Sequence, residues 1–332
     1  MERSESITLL GAGGIGKTAI ALALLHHARI LTRFGNRRYF VPCHNLESSL
    51  DEFLGRLSEA IGACDLKDMA QLRSHLSPYP RHIMVLDGVE SILDPLDPGA
   101  VEITSAIEEF SRCQNLCLLL TSKMDLRIAD FRRIEVPTIS ANGAQDVFYS
   151  RCNLERSAEI DNLLEELDFH PLSIDLLASA ASENVWDQAT LLEAWNYEKT
   201  SILKARGRQS LEDNIKSALG TPTIKAHGTA TLETLRALAD ISSGIKEREL
   251  KITFTEIAEI GDATDALCRL FLVYRQDGWV KMLSPFRFYF RQTPDPHSEN
   301  DTAHNPPVED IQHTRPDVID SGLFFFVPPT GG

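Results

Sequence analysis

The chain has 332 residues, 33 Lys and Arg against 48 Asp and Glu, a formal net charge of −15, and 43% hydrophobic and 24% charged residues. At roughly 150 residues per domain this is more than one domain, and the composition is that of a folded globular protein, which excludes global disorder. The negative sum repels phosphate backbones and anionic lipid, and so argues against nucleic acid and membranes as bulk partners.

The opening MERSESITLL carries acids where a secretory leader needs basic residues. Apolar runs such as 19–25 and 116–120 fall far short of the ~18 residues that a membrane helix requires. A cytoplasmic protein is expected. The six cysteines, at 43, 64, 113, 117, 152 and 268, show no CxxC pairing, so reduced thiols are expected in place of a zinc site or a disulfide framework.

The first predicted strand, 7–10 (ITLL), runs into Gly11-Ala12-Gly13-Gly14-Ile15-Gly16-Lys17-Thr18 and then a predicted helix over 19–30. Strand, GxxxxGK[ST], helix is the phosphate-loop pattern. Its glycines let the backbone wrap closely around phosphate oxygens, with amide N–H groups pointing inward. The helix N-terminus adds positive potential, Lys17 is placed for the terminal phosphates, and the Thr18 hydroxyl is placed for Mg²⁺.

Such a loop needs an acid on another buried strand to help hold the metal. Residues 82–87 (HIMVLD) supply it as Asp87, and Glu90 is a candidate for orienting a water. A third predicted strand, 116–121 (LCLLLT), ends in Ser122-Lys123-Met124-Asp125, where Thr121 or Lys123 is a candidate sensor of a γ-phosphate. The same tetrapeptide is also a degenerate NKxD, the element by which GTPases read guanine. That reading further needs DxxG after the metal-binding strand, and here Glu90 stands at the glycine position, so adenine is favoured over guanine.

A last short strand is expected at 133–136, closed by Pro137, which completes an α/β domain over 1–137 with a mostly parallel sheet covered on both faces. Over 138–208 helical periodicity dominates, with Pro171 at a helix start. Over 209–291 helices are expected at 211–219, 231–239 and 263–272. Two apolar runs flank Asp277-Gly278, a strong hairpin signal, and helices plus hairpin give the pattern of a winged helix. From 292 to 332 Pro, Asp, Asn and His take over, and a disordered tail is expected.

Taken in order, GAGGIGKT, HIMVLDG, LCLLLTSK, FHPLSIDLLA and VYRQDGWVKMLSPF resemble the signal-transduction ATPases with numerous domains (STAND), of the NB-ARC and NOD-like receptor type expanded in fungi. The resemblance covers residues 5 to about 291 and implies an ADP/ATP switch that opens for assembly, with self-association or a signalling protein partner expected; Mg²⁺ binding with slow or no hydrolysis is expected from the site residues themselves. It implies that Pro171 packs on adenine, that Thr121 to Lys123 sense the γ-phosphate, and that Met282-Leu283-Ser284 occupy the place of the Met-His-Asp motif. Departures are Phe169 and His170 ahead of the proline, Lys123 for the commoner arginine, and Leu283 for the histidine. Set against that family's usual effector domain and repeats, the stretch is expected to be either the switch module alone or an incomplete gene model.

The alternative is a DNA-associated ATPase that uses the winged helix as reader, motivated by KMLSPFRFYFR at 281–291, with three cations and no acid. A GTP-binding protein and a metabolic kinase follow behind it.

Overall fold

The computed structural model describes residues 6–44, 46–63, 66, 68–76, 81–204 and 210–292. The tail expected to be disordered lies outside the described residues from 293 onward.

Five strands make the first sheet: β1 (Ser6–Leu10), β2 (Arg38–Pro42), β3 (His82–Asp87), β4 (Leu116–Ser122) and β5 (Phe131–Glu135). All pairings are parallel, in the order β2-β3-β4-β1-β5. Strands buried on both faces read as near-continuous apolar runs, and every residue of β3 is buried. Alternation then sorts the side chains by face. Ile83, Val85, Leu9 and Leu119 pack with Ala21, Leu25 and Phe34 from α1 (Lys17–His26) and α2 (Ala28–Phe34). Met84, Leu86, Leu118 and Leu120 pack into the larger core with Phe53 and Leu57 of α3 (Leu50–Ala60), Leu72 of α4 (Met69–Leu76) and Ile107 of α5 (Ala100–Ser111). This is the expected α/β domain of a P-loop NTPase.

Register sets where the chemistry falls. Leu10 pairs with Ser122, and Asp87 pairs with both Thr121 and Pro42, so the carboxyl ends of β1 to β4 form one edge of the sheet. Open parallel sheets bind ligands at that edge.

Two local expectations change. The helix expected over 19–30 is broken at His27, whose backbone is extended at φ −66 and ψ 137 and whose Nδ1 accepts from Arg29 N–H at 3.3 Å, starting a second helix. The strand expected at 133–136 begins earlier and is an edge strand, largely exposed, so no apolar run marked its start.

Beyond β5 the chain is mostly helical, with α6 (Ala141–Tyr149), α7 (Ala158–Glu166), α8 (Pro171–Glu183) and α9 (Gln188–Glu198). Then come α10 (Leu211–Leu219), α11 (Pro222–Lys225), α12 (Thr229–Ala239), α13 (Leu250–Thr253), α14 (Ile260–Arg269) and α15 (Ser284–Gln292). A small antiparallel sheet has the order β6 (Ile245–Lys246), β8 (Trp279–Lys281), β7 (Tyr274–Gln276). Its hairpin turns at Asp277 and Gly278, both at positive φ (52 and 77), the conformation that makes Asp-Gly a hairpin signal. All these elements belong to one compact unit, Met1–Thr293. Among the described residues, no helix is long and apolar enough to cross a membrane.

Candidate functional site

Between β1 and α1 the loop adopts what its glycines allow. Gly11, Gly14 and Gly16 lie at φ 146, 82 and 100, values that residues with a Cβ rarely adopt. A Cβ on Gly14 would stand 2.6 Å from Leu172 Cβ and 2.9 Å from His170 Cε1, so α8 is seated directly on the loop. Lys17 opens α1 with its side chain buried, and its Nζ donates to the carbonyls of Gly11 at 2.7 Å and Ala12 at 2.8 Å. Burial lowers its pKa to about 8, against the opposing pull of the Glu90 and Asp87 carboxylates. Ala12, Gly13 and Ile15 complete the loop and are also buried.

At the end of β3, Asp87 collects two hydroxyls. Thr18 Oγ1 donates to its Oδ1 at 2.8 Å, and Thr121 Oγ1 donates to the same oxygen at 2.6 Å while accepting Gly88 N–H at 2.9 Å. The register pair Asp87 and Thr121 therefore becomes a side-chain pair, and Thr121 orients the carboxylate. Hard oxygens on Thr18 and Asp87, held side by side at a phosphate loop, suit a cation such as Mg²⁺, which takes one or two protein oxygens and leaves the rest of its shell to phosphate and water. Glu90 Oε2 accepts the backbone N–H of Lys123 at 3.1 Å, and Lys123 Nζ donates to Asn214 Oδ1 at 2.9 Å.

These groups line a cavity of about 980 Å³. Gly14, Gly16, Lys17, Thr18, Asp87, Glu90, Thr121 and Lys123 form its polar end. Val147, Pro171 and Leu172 form an apolar wall from α6 and α8, and Asn214, Ser217, Thr221 and Pro222 close it from α10 and α11. Leu283 and Ser284 are not among the lining residues; Ser284 N–H donates instead to Asp168 Oδ2.

The candidate residues Lys17, Thr18, Asp87, Glu90, Thr121, Lys123 and Pro171 all line this one cavity, while several of their partners carried no sequence signal. His170 read only as a helix-start neighbour of Pro171. Here its ring is fully buried, Nε2 lies 2.9 Å from the Gly13 carbonyl and Nδ1 2.8 Å from Ser173 Oγ, and burial pushes its pKa down to about 4. Asp94 was also missed. Its buried carboxylate accepts Thr223 N–H at 3.1 Å and Thr223 Oγ1–H at 2.8 Å, tying the segment after β3 to α11. Asn214 carries no local signal at all, since a lone Asn on a helix ordinarily faces water.

No protein-family model matches the sequence, and a search of curated proteins returns no match. Solved structures do match. A Walker-type ATPase of Pyrococcus abyssi superposes at a TM-score of 0.63 with 13% identity, over 86% of this chain and 91% of that one. A signal-transduction ATPase with a tetratricopeptide-repeat sensor from Pyrococcus horikoshii matches at a TM-score of 0.39 and 13% identity, over 89% of this chain and 41% of that one. The first likeness is one of fold, and with the phosphate loop and Asp87 in place the chain has the fold of a Walker-type P-loop ATPase.

Proposed function

We propose that the protein is an ATP/ADP-binding molecular switch of the signal-transduction ATPase type, hydrolysing slowly, in which nucleotide state governs opening and assembly. The observation that carries this reading is the shared cavity: residues from the phosphate loop, from the start of α8 and from α10 and α11 wall one space. A nucleotide filling it touches three parts of the chain at once, so its terminal phosphates can bias how those parts sit. In this reading 1–137 is the nucleotide-binding domain, 138–208 a helical domain and 209–291 a winged helix.

The roles follow from position. Lys17 meets the terminal phosphates, Thr18 and Asp87 hold Mg²⁺, Lys123 reaches a γ-phosphate, and Pro171 with Val147 and Leu172 packs against adenine. Glu90 is the candidate for orienting water, but its carboxylate is engaged by Lys123 N–H at 3.1 Å, which favours slow turnover. The partner of the open form is a second copy or a signalling protein.

The DNA-associated alternative loses support at its own motif. Phe286 and Phe290 of α15 are core residues, Arg287 donates to the Ser242 carbonyl at 2.9 Å, and Arg291 donates to the Asp240 carbonyl at 2.9 Å.

The test is to purify the protein, release any bound nucleotide and identify it by mass spectrometry, then titrate ADP by calorimetry into the wild type and Lys17→Ala. ADP in the first experiment and lost affinity in the second support the switch. Guanine nucleotide, or unchanged affinity in the variant, overturns it.

A further inference from the structure

We propose that Asn214 is the positioning residue through which α10 reads nucleotide state: its side-chain oxygen competes with the terminal phosphate of ATP for the ammonium of Lys123. This rests on the switch reading above and names the contact that would carry the signal.

The geometry is specific. The start of α10 is fixed by a reciprocal cap, Asp213 N–H donating to Ser210 Oγ at 3.0 Å and Ser210 N–H to Asp213 Oδ2 at 2.9 Å. One turn on, Asn214 Nδ2 donates to the Ser210 carbonyl at 3.0 Å. The amide nitrogen is thereby occupied and the oxygen is turned outward, where it receives Lys123 Nζ at 2.9 Å across 91 residues of sequence. Asn214 is only 5% exposed. It also packs on the phosphate loop, since a Cβ on Gly13 would lie 3.0 Å from its Oδ1 and 3.2 Å from its Cβ. One side chain of α10 thus touches both the loop and the lysine beyond β4.

Lys123 is suited to change partners. It lines the same cavity as Lys17 and lies near enough for its charge to weigh on Lys17. Its ammonium sits on a flexible stem, and a phosphate oxyanion offers it full opposite charge where the amide oxygen of Asn214 offers only a dipole, so the phosphate is the stronger acceptor. When a γ-phosphate takes the ammonium, the oxygen of Asn214 is left as a buried acceptor without its donor, which is unfavourable for the closed arrangement. With a diphosphate the Lys123–Asn214 bond persists and α10 stays seated. The two nucleotides therefore differ in how they stabilise the closed state, the condition for a ligand to shift a conformational equilibrium.

The experiment measures affinities for ADP and for a non-hydrolysable ATP analogue, both with Mg²⁺, by calorimetry on the full chain. The quantity read is their ratio, which a merely structural loss leaves unchanged. Asn214→Ala is expected to move the ratio toward the ATP analogue by about tenfold, within the usual range for coupling between sites. Asn214→Asp, which puts a charge beside the ammonium, is expected to move it toward ADP and serves if the alanine variant folds poorly. On a Lys123→Met background Asn214→Ala should no longer shift the ratio. Equal loss of both affinities in Asn214→Ala, or a shift that persists without Lys123, overturns the proposal and leaves the switch reading standing. A wild type that binds neither nucleotide overturns both.

Discussion

His170 Nε2 donates to the carbonyl of Gly13 at 2.9 Å, joining the phosphate loop to the start of α8 across 157 residues. A carbonyl only accepts, so Nε2 carries the proton and Nδ1 accepts from the Ser173 hydroxyl at 2.8 Å. The ring is neutral, wholly buried, and edge-on to Phe286 of α15 at 5.8 Å between centroids. One imidazole thereby holds together the loop, α8 and α15.

That neutrality makes stability depend on pH. Burial lowers the folded pKa of His170 from 6.5 to about 4, so between those values the unfolded chain binds more protons than the folded one. Stability therefore rises with pH across that window, is fully present above 6.5, and is lost as pH falls toward 4, by about 3 kcal/mol at most. His170→Gln lacks the titration. Urea unfolding at pH 7, 5.5 and 4.5 is expected to show the wild type losing its lead over the variant as pH falls; a constant gap contradicts the neutral buried ring.

Lys17 gives a prediction on the alkaline side. Its folded pKa is lowered to about 8 by burial, with loop carbonyls at 2.7 and 2.8 Å as its acceptors. Phosphate oxygens beside the ammonium favour the charged form and raise that pKa. Binding of ADP should take up almost no proton at pH 7 and approach about one proton near pH 9, with affinity falling as pH rises above 8. Calorimetry at pH 9 in buffers of different ionisation enthalpy measures the uptake directly, and Lys17→Arg, which does not titrate there, should abolish it.

A second clasp is testable through Asp94. Its carboxylate, 3% exposed, accepts Thr223 Oγ1–H at 2.8 Å, Thr223 N–H at 3.1 Å and Leu96 N–H at 3.0 Å. Thr223→Val removes the hydroxyl at nearly constant shape and leaves a buried charge with one donor fewer, at a cost of about 1–3 kcal/mol. Thermal unfolding should shift down by several degrees, and Thr223→Ser should restore it. Equal melting temperatures for all three proteins would remove the clasp as a stabilising contact.

How much of this was legible follows from the range of each signal. The loop from Gly11 to Thr18 and the strand ending at Asp87 are local patterns, and both stand where the sequence put them. β2 left no such trace, because RYFVP is short, half-exposed and closed by proline, and β6 is two residues long. Thr121 was noticed for the end of its strand, yet its hydroxyl is bound to Asp87 and Gly88, a partnership that depends on β3 and β4 being neighbours in register. Asn214, Asp94 and His170 act on residues 91, 129 and 157 positions away, and composition, periodicity and motif spacing are blind at that range. The loop was thus readable, and what grips it was not.

The grip itself can be separated from backbone strain by two glycines. Gly14 and Gly16 both lie at positive φ, 82 and 100, so alanine at either is strained by about 1–3 kcal/mol. Their surroundings differ. A Cβ on Gly16 meets nothing within 4 Å, whereas one on Gly14 would lie 2.6 Å from Leu172 Cβ, 2.7 Å from Leu172 Cδ2 and 2.9 Å from His170 Cε1. The Leu172 N–H also donates to the Gly14 carbonyl at 3.2 Å, so the loop and α8 cannot part at this point without breaking a bond. Gly16→Ala should weaken ADP binding with a modest fall in melting temperature. Gly14→Ala should weaken it too, but melt several degrees lower still and become more sensitive to protease near α8. Matching melting temperatures for the two variants would mean that α8 is not seated on the phosphate loop in solution.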